Sequence, residues 1–162
     1  MGIERWKPSV TVASVIELNG RYLLVEEMTA DGLRLNNPAG HLDPGESLLA
    51  AVARETLEET ARIFVPEAVV GLYLARLRRN ATGEDITYLR VAVCGSVSEP
   101  EPGQALDPPV ERTLWMSLDE LRACPDRHRS PLVLQCVEDH ASGARFSLAL
   151  LHTHPSVGLL HD

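Results

Sequence analysis

Apolar and β-branched residues come in short runs along this chain, and the runs predict strands first. Ser9–Glu17 (SVTVASVIE) concentrates β-branched residues in a strand-like cluster. Asn19-Gly20 follows, a pair that tolerates positive φ, and predicts a hairpin turn into a partner strand at Arg21–Glu27. Thr29–Gly32 reads as a loop and Leu33–Pro38 as a short extended stretch. Val69–Arg78 and Ile86–Gly95 predict two more strands on either side of the polar Arg79–Asp85, and Arg112–Met116 a short last one.

Helical pattern appears in three places. Glu46–Ala61 follows the Gly/Pro-punctuated loop Gly40–Gly45 and holds good helix formers with no breaker. Ser117-Leu-Asp-Glu120 is a capping box that starts a brief helix. Ser130-Pro131 starts another, with proline at its first position, which should end before Ser142-Gly143. Ser98–Pro109, rich in Pro and Glu, reads as a surface loop, because too little chain follows it for a second domain. There is no internal repeat, and the tail from His152 shows no element signal and is expected to be disordered. Strands with hairpin-like connections and one long helix predict an α/β (α+β) fold: one domain over residues 1–162, a mixed sheet with helices packed on its faces.

Composition narrows the function classes. At 162 residues, 44% hydrophobic and 23% charged, the chain is globular in character. Fifteen Lys+Arg against 23 Asp+Glu give a net charge of −8, which argues against binding a nucleic-acid polymer. It does not exclude a polyphosphate, because bound cations reverse the local sign of a site. The longest apolar stretches are too short to span a bilayer, and Met1–Trp6 lacks a secretory core. Cys94, Cys124 and Cys136 are an odd number without a CxxC, as expected for free thiols in a reducing compartment. The expected location is the cytoplasm.

The most informative segment is Gly40 to Ile63, GHLDPGESLLAAVARETLEETARI. At roughly 100° per residue, Leu48, Leu49, Val52 and Ala53 form one apolar stripe. Glu55 and Glu59 fall on or beside that stripe, and Glu58 lies at its edge. The three glutamates therefore occupy i, i+3 and i+4 positions, where like charges repel, and partial burial worsens the conflict. A divalent cation would remove it, since clustered carboxylates suit Mg2+ or Mn2+. The plain alternative is an acidic surface face neutralised by Arg54 and Arg62.

The register of this segment resembles the signature of the Nudix hydrolases. The matching positions are Gly40, Glu46, Arg54-Glu55 and Glu58-Glu59. At roughly one in fifteen per position, six such matches arise by chance about once in ten million starting points. Three positions depart from the pattern: Thr56 and Arg62 replace apolar residues, and Ala61 replaces a glycine that would permit a left-handed helix end. Lys7–Ala13, Val25-Glu26-Glu27, Asn37–Leu42 and Arg129–Val133 are further similar to the NudJ-type phosphatase subgroup.

The resemblance implies a Nudix fold and hydrolysis of a phosphoanhydride by attack of water. The implied substrates are small molecules: nucleoside di- and triphosphates, or the pyrophosphate of the thiamine pyrimidine precursor. Nucleotide sugars, dinucleoside polyphosphates and a catalytically silent ligand sensor are the alternatives. Glu55, Glu58, Glu59 and the Gly40 carbonyl oxygen are implied as cation ligands, with Glu55 or Glu59 as proton acceptor. Arg54 and Glu46 are implied as a supporting ion pair. Glu111 stands where the family often places a distant acid ligand, and otherwise reads as an exposed loop glutamate. Glu26 and Glu27 read as solvated acids at the end of a strand. Trp6, Tyr73 and Tyr88 are candidate stacking residues, and Arg76, Arg78, Arg79 and Arg90 candidate phosphate holders, each with a structural reading beside it. His152-Thr153-His154 resembles a metal-binding pair without further ligands.

Overall fold

The computed structural model describes residues 5–79 and 82–158, excepting the Arg79 side chain. The strands are β1 (Ser9–Val15), β2 (Glu17–Leu18), β3 (Arg21–Thr29), β4 (Gly32–Asn36), β5 (Ala39–His41), β6 (Phe64–Arg79), β7 (Glu84–Val97) and β8 (Val110–Ser117). The helices are α1 (Leu48–Thr60), α2 (Leu118–Arg122) and α3 (Leu132–Ala141). One sheet has the order β5-β1-β7-β6, with β1 and β7 parallel and the other pairs antiparallel. In the second, β3 pairs antiparallel with β2, β4 and β8. The expected mixed sheet is thus two sheets, one mixed and one antiparallel.

Strand alternation sorts the core into two clusters. Val12, Ile16, Leu23, Val91 and Val93 pack against Ala51 and Val52 of α1. Val15, Leu24, Ala92 and Cys94 pack against Val133, Cys136 and Val137 of α3. A helix therefore covers each face, and β1 shows no apolar/polar alternation because both its faces are buried.

Several boundaries differ from expectation for physical reasons. α1 starts at Leu48, because the Ser47 side chain accepts from Ala50 N–H and caps it, while Glu46 turns back to accept from Asp43 N–H at 2.8 Å. β5, expected as loop, pairs with β1 through Thr11↔His41, Val12↔Gly40 and Ala13↔Ala39. β6 begins at Phe64, five residues early; it is an edge strand with a bulge at Pro66–Ala68, the one place a strand accommodates proline. Leu148–Leu150 and Pro155–Gly158 are single 3-10 turns in the tail, and residues 159–162 lie outside the described set.

The three departures from the signature are each accommodated. Ala61 adopts the left-handed conformation itself, with φ 57° and ψ 24°, and its N–H still reaches Leu57 O at 2.8 Å. Arg62 lies over the Trp115 ring at 5.7 Å and donates to Ser98 O. Thr56 is fully buried; its hydroxyl lies 2.7 Å from Val52 O and 2.9 Å from Ser14 Oγ. Thr56→Val keeps the volume but leaves the buried Ser14 hydroxyl without this partner. It should cost about 1–3 kcal/mol, a fall of about 2–10 °C in Tm measured by thermal unfolding, with no change in metal response.

Candidate active site

The buried face of α1 is not purely apolar. It comprises Ala51, Val52, Thr56, Glu59 and Thr60, so the stripe expected on Leu48 and Leu49 is rotated toward the acids. Beside it, Arg54 organises the half-buried carboxylates. Its Nη2 and Nε donate to Glu46 at 2.7 and 3.0 Å, a bidentate grip. Nη1 donates to Glu55 at 2.8 Å and Glu58 at 3.1 Å, and Nη2 also reaches His41 O at 3.1 Å. The guanidinium holds the Glu46 carboxyl below its usual range, and those acids in turn hold Arg54 firmly protonated.

Glu55 is different: burial outweighs Arg54 and raises its carboxyl. Its carboxylate occupies the space over the Gly40 α-carbon where any side chain would lie, which explains glycine at this position. Glu59 is 8% exposed and accepts one backbone bond, from Ala39 N–H at 2.8 Å. Burial, with Glu27 and Glu55 close by, pushes it up to about 8. Glu26 and Glu27 are buried, not solvated as the sequence reading preferred. β8 and the chain between α2 and α3 deliver the reason: Arg112 of β8 and Arg127 both reach Glu26 at 2.6 Å, and Arg129 reaches Glu27 at 2.8 Å. The Arg112 hydrogen bond is the main cause of the lowered Glu26 pKa.

Among the described residues no three of these acids converge on one point, because Arg54 lies between Glu55 and Glu58 and Glu59 faces Ala39. The donor set nevertheless suits a hard divalent cation: oxygen ligands only, on adjacent helical turns, with burial favouring a counter-charge on Glu55 and Glu59. Glu111 is not brought into this cluster by any contact. It is the exposed extra residue of a β8 bulge opposite Glu26 and Glu27.

Next to the cluster opens a cavity of about 200 Å³. Glu27, Gly40 and Arg129 line the side shared with the acids, and Thr11, Tyr88, Arg90 and Leu132 the remainder. Of the stacking candidates Tyr88 lines the cavity, 6.2 Å from the His41 ring. Tyr73 instead donates to Asp139 at 2.8 Å, and Trp6 is 71% exposed. Arg76 and Arg78 pair with Asp85 on the β6–β7 hairpin, whereas Arg90 lines the cavity; the Arg79 side chain lies outside the described set. His152 and His154 are exposed, and His154 bonds Ser156. Arg129 and Asn36 were missed by sequence reasoning. Their spacing from α1 carries no local signal, and only the fold brings them to Glu27.

The NUDIX domain family model matches residues 5–135 of the chain. Phosphatase NudJ of Escherichia coli is 33% identical over 147 residues, spanning 90% of this chain and 92% of that protein, and the Shigella flexneri protein of the same name matches equally. The solved structure of a NUDIX hydrolase from Nitrosomonas europaea superposes with a TM-score of 0.83 at 46% identity, covering 91% of this chain and 98% of that one. The MutT NUDIX hydrolase from Burkholderia pseudomallei, at 22% identity and TM-score 0.65 over 83% of this chain and 98% of that one, shares the fold.

Proposed function

The chain belongs to the Nudix hydrolase family, and from that premise we propose that it cleaves the phosphoanhydride of nucleoside di- and triphosphates, or of the thiamine pyrimidine precursor's pyrophosphate, with Mg2+ or Mn2+. The observation that carries this reading is a carboxylate pair, half-buried Glu55 and buried Glu59, beside a cavity of about 200 Å³ that Gly40 helps to line. The likeness to phosphatase NudJ supports the substrate class. The absence of a membrane-spanning helix among the described residues and three free cysteines support a cytoplasmic setting.

Glu55, Glu58, Glu59 and the Gly40 carbonyl oxygen would hold the cation. A bound divalent ion neutralises the anhydride oxygens and makes a water easier to deprotonate. The chain's own residues do the rest. Glu55 or Glu59 receives the proton of the attacking water. Arg54, fixed on Glu46, keeps Glu55 and Glu58 from splaying apart. Gly40 leaves room for the Glu55 carboxylate.

A phosphate-release screen over nucleotides and thiamine-precursor pyrophosphates, with and without Mg2+ or Mn2+, tests this reading. Cation-dependent release from at least one of them is expected. Release that survives EDTA, or none from any pyrophosphate, overturns it. Gly40→Ala should lower kcat by about 10²-fold or more by displacing Glu55, while circular dichroism shows the fold retained. Wild-type kcat in that variant would sever Gly40 from the chemistry.

A further inference from the structure

Arg90 sits in the middle of the first sheet, on β7, with Thr11 beside it on β1 and Tyr73 on β6. Its side chain faces the cavity although the residue is only 8% exposed. A buried cation is costly unless an acid or a full set of acceptors meets it. Arg90 has no ion pair among the described residues. Nη1 and Nη2 donate to the amide oxygens of Asn37 and Asn36, each at 3.3 Å, which is long for a charged donor. Nε is buried with no partner. The acid that might have answered it, Glu27, is already held by Arg129 at 2.8 Å and by Asn36 Nδ2 at 3.2 Å. The cavity wall therefore includes a guanidinium that no acid among the described residues pairs with.

The position of that charge is informative. Asn36 and Asn37, which hold the guanidinium, lead through Pro38 into Ala39, whose N–H binds Glu59, and Gly40, which underlies Glu55. One short segment thus ties the unpaired cation to the acid cluster. Beyond Arg90 the walls turn apolar at Ala75, Leu77 and Leu132.

We propose that Arg90 binds the phosphate that is not attacked, the one that leaves; this rests on the pyrophosphohydrolase reading above. In that reaction the water oxygen bonds to the attacked phosphorus and its proton passes to a cluster glutamate. The bond from that phosphorus to the bridging oxygen breaks, and the bridging oxygen departs with the electron pair on the second phosphate. The Arg90 guanidinium, which borders the cavity, meets the charge that develops there. Arg90 is then a catalytic residue that also selects substrates carrying a second phosphate.

The test compares wild type, Arg90→Gln and Arg90→Lys. Arg90→Gln should lower kcat/KM for the best pyrophosphate substrate by about 10²–10³-fold, and Arg90→Lys should regain about tenfold of that loss by restoring charge without the fork. The Mg2+ concentration for half-maximal activity should stay unchanged, as the cation ligands are untouched. In wild type, the Arg90 Nε–H resonance, assigned through its own side chain, should move when the non-hydrolysable methylenebisphosphonate is added with Mg2+. A folded Arg90→Gln enzyme with wild-type kcat/KM overturns the proposal. So does an unmoved Nε–H at saturating methylenebisphosphonate, a measurement that needs no variant to fold. Failure of wild type to hydrolyse any pyrophosphate would instead overturn the reading on which it rests.

Discussion

Glu59→Gln is expected to reduce kcat by about 10³-fold or more while making the cation-free protein more stable at high pH. The two effects come from one cause. Glu59 carries a folded-state pKa raised from an ordinary 4.5 to about 8. The folded chain therefore holds a proton that the unfolded chain releases between those values. Stability from this source is full below about pH 4.5 and falls as pH rises through about 8, a loss of up to about 5 kcal/mol. Glutamine keeps an oxygen for Ala39 N–H and never ionises, so the variant should lack this decline. A cation competes with the same proton. The rise in wild-type Tm on adding Mg2+ should accordingly be larger at pH 8.5 than at pH 6, and nearly absent in Glu59→Gln. Thermal melts across pH with and without Mg2+, alongside turnover, check all three outcomes. Undiminished turnover in the variant would remove Glu59 from the mechanism.

Arg54→Ala should be the most destabilising single change in the site. The guanidinium touches Glu46 twice, Glu55, Glu58 and the His41 carbonyl, with Asp43 at 3.5 Å. Its own side chain is 28% exposed, and those of Glu46 and Glu55 are 16% and 14%. Removing it leaves mutually facing, half-buried carboxylates, a cost of about 3–5 kcal/mol, or about 6–20 °C in Tm. Mg2+ should recover part of that loss, because a cation then supplies the missing counter-charge. Arg54→Lys should recover less than half, since an ammonium cannot reproduce the fork on Glu46. Calorimetric melts of both variants with and without Mg2+ decide the matter, and a Tm within 2 °C of wild type in Arg54→Ala would show that the pairs are worth little, as exposed pairs are.

How much of this was legible in the sequence depends on whether the signal was local. The acidic helix was, because i, i+3, i+4 spacing places Glu55, Glu58 and Glu59 together whatever surrounds them. Gly40 was legible by register alone, and its physical reason, the Glu55 carboxylate above it, required the structure. β5 was missed because a three-residue strand between prolines has no periodicity; only its partner β1 defines it. Glu26 and Glu27 were read as solvated because alternation along β3 says nothing of Arg112, Arg127 and Arg129, which arrive from 86 to 102 positions away. The choice among the four arginines likewise needed the β6–β7 hairpin, which sets Arg78 opposite and Arg76 diagonal to Asp85, while Arg90 lines the cavity.

The two core clusters have a consequence for how such an enzyme can change. The acid-bearing helix is seated by Val12, Leu23, Val91 and their neighbours on one face of the sheets. The walls of the cavity around Leu132 belong to the chain that seats α3 on the opposite face. The acid cluster and the apolar cavity walls thus rest on different core clusters, linked through the shared strands, the Asn36–Gly40 segment and the Arg129–Glu27 pair. A lineage, or a library randomised at Ala75, Leu77 and Leu132, can vary the cavity walls while the acid-bearing helix stays in place.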